Sequence, residues 1–139
     1  MNFDSLSNHV IGAALKVHSA LGPGLFEEVY KVCLRHELTK NGIKVRVINS
    51  PSIKPLDEAT ILRAAINAGC LVTVEEHQIH GGMGSAVAEC LAKNFPVPIE
   101  FIGVNDKFGQ SGKPDELIEF YGMGEKHIYE AAIKVMVRK

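Results

Sequence analysis

The chain has 139 residues, enough for one domain with a core of its own, and its 46% hydrophobic and 22% charged residues are those of a globular protein. A net charge of -1 speaks against nucleic acid or an acidic membrane surface as partner, and no apolar run approaches the roughly 20 residues that span a bilayer. Cys33, Cys70 and Cys90 stand far apart without Cys-x-x-Cys spacing, which points to reduced thiols in a cytoplasmic protein.

The opening stretch MNFDSLSNHV carries an acid and no basic region, so no signal peptide is expected. From residue 4 to residue 21, Leu6, Val10, Ala14, Val17 and Leu21 recur about once per turn, which predicts a helix capped by Asp4 or Ser5. Gly22-Pro23-Gly24 stops it. A second helix is expected from Leu25 to Lys40, with Phe26, Val29, Tyr30, Cys33 and Leu38 inward, Glu27 and Glu28 at its positive end, and Asn41-Gly42 closing it. His9, His18 and His36 are scattered over these helices and read as surface residues rather than metal ligands.

Ile43-Lys44-Val45-Arg46-Val47-Ile48 then alternates apolar and basic residues, a strand signal. After Asn49-Ser50-Pro51-Ser52 a helix begins near Lys54, with Asp57 as cap, Ile61, Leu62, Ala65 and Ile66 as buried face, and Gly69 as terminator. Cys70 leads into Leu71-Val72-Thr73-Val74, a buried strand that breaks into Glu75-Glu76-His77. The turn Gly81-Gly82-Met83-Gly84 opens the next helix, from about Gly82 to Asn94. Ile99–Val104 is a third strand and residues 105–112 a loop at its carboxyl end. Pro114–Phe120 forms a short helix with proline in the first turn. Glu125–Arg138 is the last helix, with Ile128, Ala132, Val135 and Met136 inward. Strands alternating with helices require parallel crossovers, hence an α/β fold: a three-layer α/β/α sandwich on a small, mainly parallel sheet.

Strand, glycine turn and helix start meet between Leu71 and Ala92, at the carboxyl end of the sheet, where open α/β folds bind ligands and partners. His77, Gly81, Gly82, Gly84 and Ser85 are the candidate contacts there, for an anion at the helix start or for a partner. The spacing matches neither Gly-x-Gly-x-x-Gly nor a P-loop, so glycines serving a tight turn and close helix–sheet packing are the preferred explanation. A zinc site can be drawn from His77, His80, Glu75 and Glu76, but loop residues at a strand end are no preformed cluster. Cys90, beside Leu91 and near Val87, reads as a packed thiol without a base. No residue is assigned to catalysis, cofactor or metal.

Two resemblances add to this. GAALKVHSALGPGLFEEVY, through Gly24, Glu27 and Tyr30, resembles the GxxExxY proteins, relatives of the PD-(D/E)xK nucleases, over about residues 4–40. That superfamily needs a Glu-x-Lys or close variant to hold Mg²⁺ and position water, and the sequence has no such motif, so metal-dependent nuclease activity is not expected. From roughly Asn41 to Lys139 the chain resembles the C-terminal domain of transketolase, in its Lys54-Pro55-Leu56-Asp57 start, its Thr73-Val74-Glu75-Glu76-His77 strand end, its Gly81–Ser85 turn and its loop with Asp106-Lys107-Phe108-Gly109 and Ser111-Gly112.

The second resemblance implies a non-catalytic domain that associates subunits and supports a thiamine-enzyme site from outside. Thiamine diphosphate and Mg²⁺ belong, in the full-length family, to two other domains and a Gly-Asp-Gly segment that this sequence lacks. It also implies a strand between those matching Val45–Ile48 and Leu71–Val74 that is missing here. The two likenesses, over residues 1–40 and 41–139, describe a chimera packed as one unit, natural or engineered. A homodimer is expected, because the implied loss of a strand leaves sheet edges open to pairing. The alternative is a fragment of a split transketolase, active only with a partner subunit that binds thiamine diphosphate.

Overall fold

The computed structural model describes residues 44–139, so the two helices expected before Asn41, Cys33 and the GxxExxY-like motif lie outside the described residues. Ser50–Lys139 is a compact unit in its own right. Its elements, in order, are α1 (Glu58–Ala68), β1 (Leu71–Gln78), α2 (Met83–Asn94), β2 (Ile99–Val104), α3 (Pro114–Phe120) and α4 (Glu125–Val137).

Local chemistry sets most of the boundaries. Asp57 caps α1 by accepting a hydrogen bond from the Thr60 N–H at 3.1 Å, and hydrogen bonds from Thr60 hold its carboxyl below the usual range. Gly69 closes the helix in the left-handed conformation, φ 72°, its N–H donating to Ala65 O. Pro114 occupies the first turn of α3.

β1 and β2 pair in parallel, with Leu71 opposite Ile99 and Val74 opposite Ile102. Parallel neighbours need a crossover, and α2 provides it. Beyond Val74 the ladder slips. Gln78 next pairs with Val104, so four steps along β1 match two along β2. The irregularity falls on Glu75, Glu76 and His77, where the sequence turns from apolar to charged.

The sheet is covered on both faces. One face carries Leu71 and Ile99 against a core of Ile61 and Ala65 from α1 and Val87 and Leu91 from α2. Val87 and Leu91 are each 1% exposed, and burial of such side chains contributes about 2 kcal/mol apiece. On the other face Glu100 meets Lys134 of α4 and Arg138, which caps that helix; α4 is packed on both strands and anchored by buried Tyr129, Ala131 and Val135. This is the α/β sandwich expected, on a small parallel sheet.

Four expectations need correction. Residues 44–50 form no strand: Lys44 and Arg46 are exposed and Val45 and Val47 half-buried, as alternation requires, yet no ladder is made with any described residue. Alternation provides the faces of a strand, whereas the strand itself needs a hydrogen-bonding neighbour. Ile66 is exposed and Ala64 buried, because position 66 lies well around the helix from Ile61 and Ala65. Met136 is likewise exposed, and Tyr129 and Ala131 join Val135 in facing inward. β1 runs four residues past Val74, to Gln78.

Candidate functional site

The carboxyl ends of β1 and β2 carry two loops, Ile79–Gly82 and Asn105–Lys113. Residues 71–78 deliver to this end Glu75, His77 and Gln78, each with a different task.

Glu75 stays on the α2 side of the sheet and reaches the start of that helix. Its two carboxylate oxygens accept hydrogen bonds from Met83 N–H at 2.7 Å and Gly84 N–H at 2.8 Å. These are N–H groups that the helix itself leaves unpaired, at its positive end. Gly82, the N-cap, has no side chain to offer, so the cap comes from a residue eight positions upstream of Met83.

The glycines make this possible. A Cβ on Gly84 would sit 2.7 Å from Thr73 Oγ1 and 2.8 Å from Phe101 Cδ1, and one on Gly82 would collide with the Glu75 carboxylate. Gly81 adopts φ 80°, a conformation that favours glycine. Ser85 locks the turn: its hydroxyl donates to Ile79 O at 2.6 Å and accepts from Gly81 N–H at 3.0 Å.

Of the sequence candidates, Gly81, Gly82, Gly84 and Ser85 therefore come together in one turn whose helix-start N–H groups at Met83 and Gly84 already hold an internal anion. His77 is not among the hydrogen-bond partners of that turn. Its ring is exposed, with Nδ1 3.2 Å from Gln78 O, and His80 is exposed as well. Among the described residues no group of three or more His, Cys, Asp or Glu side chains is placed to hold a metal ion. The helix-start N–H groups of Met83 and Gly84 are already occupied by the protein's own carboxylate. Cys90 is buried on α2, and burial pushes its thiol up, away from nucleophilic character.

The second loop is held by residues that pattern reading missed. Gln78, at the end of β1, accepts from Asp106 N–H at 3.1 Å with Oε1 and donates to Lys107 O at 2.8 Å with Nε2. Tyr121, after α3, donates its hydroxyl to Phe108 O and accepts from Gln110 N–H, both at 2.9 Å. Two side chains from outside the loop thus hold backbone groups from Asp106 to Gln110, with Asp106 at φ 50°. Lys107 Nζ lies 5.5 Å above the Phe120 ring, which meets Tyr121 edge to face at 5.0 Å. Phe108, at the tip, is 97% exposed. A Gln next to a charged strand end, and a Tyr after a short helix, were the only signals available in sequence.

Among the described residues, no helix is long and apolar enough to cross a membrane.

Comparison with known proteins adds the following. Residues 26–128 match the family "Transketolase, C-terminal domain", so the match reaches back into the last part of the segment likened to GxxExxY proteins. The chain is 46% identical over 103 residues to the 6-deoxy-6-sulfo-D-fructose transketolase subunit SqwH of Clostridium sp., an alignment covering 74% of this chain and 32% of that one. It is 39% identical over 97 residues to an apulose-4-phosphate transketolase subunit of Phocaeicola vulgatus, covering 70% of this chain and 31% of that one. A solved split gene transketolase, described as an inactive beta4 tetramer, superposes with a TM-score of 0.70 at 34% identity, over 94% of this chain and 37% of its own. The chain thus spans about a third of the length of these relatives.

Proposed function

This chain belongs to the transketolase C-terminal domain family, and on that premise we propose that it serves a split, thiamine-diphosphate-dependent transketolase as its non-catalytic, subunit-associating part. The observation that carries this reading is the Glu75 cap. At this turn, where an α/β sheet could receive an anion, the protein supplies its own carboxylate, which stiffens the strand–helix junction and engages the Met83 and Gly84 N–H groups. Such a junction supports a neighbour; it does not bind a phosphate.

The catalytic groups then come from domains outside these residues, carried by a partner polypeptide that binds thiamine diphosphate. Relatives named as transketolase subunits, of which this chain spans about a third, support that division of labour. A homodimer is part of the same reading, and the beta4 assembly named for the solved relative supports self-association. Cys70 and Cys90 carry free thiols, which suits a cytoplasmic setting.

The test is reconstitution. The chain alone should transfer no two-carbon ketol unit in the presence of thiamine diphosphate and Mg²⁺. Mixed with a transketolase truncated before its C-terminal domain, it should co-purify and raise activity above that of the truncated enzyme. Turnover by the chain alone, or no binding to the truncated enzyme, overturns the proposal.

A further inference from the structure

We draw no further inference here: the strongest candidate, the surface patch that exposed Phe108 forms at the tip of the loop after β2, carries none, because nothing in the structure shows what covers it.

Discussion

A single carboxylate decides the character of the strand–helix turn. Glu75 spends both oxygens on the start of α2, and each hydrogen bond is charge-assisted and partly shielded from water. Glu75→Ala should therefore cost about 2 kcal/mol in urea unfolding, because two N–H groups lose their acceptor at once. Glu75→Gln keeps the shape and one strong acceptor and should cost about half of that. Gly84→Ala approaches the junction from the opposite side: the added methyl meets Thr73 and Phe101 at under 3 Å, and helix propensity cannot compensate. A loss of about 2 kcal/mol is expected, the usual size for overpacking. A stabilised Gly84→Ala would show that helix and sheet are not as tightly packed as their atoms indicate. The glycines themselves were legible in sequence as devices for a close approach. The acid that uses the approach was not, since a cap eight residues upstream and on another element follows no local capping pattern.

At the level of elements, α4 is fastened to the sheet by charge as well as by Tyr129 and Val135. Glu100 is nearly enclosed; it accepts from Lys134 Nζ at 2.7 Å and from Arg138 Nη1, and Arg138 also donates to Ile99 O. The Lys134 hydrogen bond, reinforced by Arg138, holds the Glu100 carboxyl below its ordinary value of 4.5 against the opposing effect of burial. A carboxylate lowered on folding stabilises the protein fully above its unfolded value and loses that contribution as pH falls through the folded one. The native chain should thus be more stable than Glu100→Gln by about 1 kcal/mol at neutral pH, a modest amount because both cations are half exposed or more. The gap should close as the pH drops below 4.5, which circular dichroism of both proteins in urea can follow. Elements whose signals are local were readable in advance: Asp57 and Gly69 bounding α1, Pro114 opening α3, the glycine turn opening α2. Where a signal depended on a distant neighbour, the reading failed. Residues 44–48 have the alternation of a strand and no ladder among the described residues, and Ile66 and Met136 have the apolarity of a core position without the angle.

For the molecule as a whole, the same local and distant distinction separates support from catalysis. The unit from Ser50 to Lys139 is compact, with a covered two-stranded sheet, a turn closed by Glu75 and a second loop braced by Gln78 and Tyr121. Such a body can align another domain without touching the substrate. If that is its work, calorimetry with thiamine diphosphate and Mg²⁺ should give no binding heat for the chain alone and a saturable signal once a transketolase truncated before its C-terminal domain is present. Glu75→Ala sharpens the comparison, because it exposes the helix-start N–H groups of Met83 and Gly84. Were the turn a latent diphosphate site obstructed by its own side chain, this variant would acquire affinity for thiamine diphosphate or inorganic phosphate. The expected outcome is a less stable chain that still binds neither, because among the described residues no cluster of metal-ligating side chains stands ready to hold a diphosphate there. Micromolar binding by either form would move the catalytic boundary into these residues.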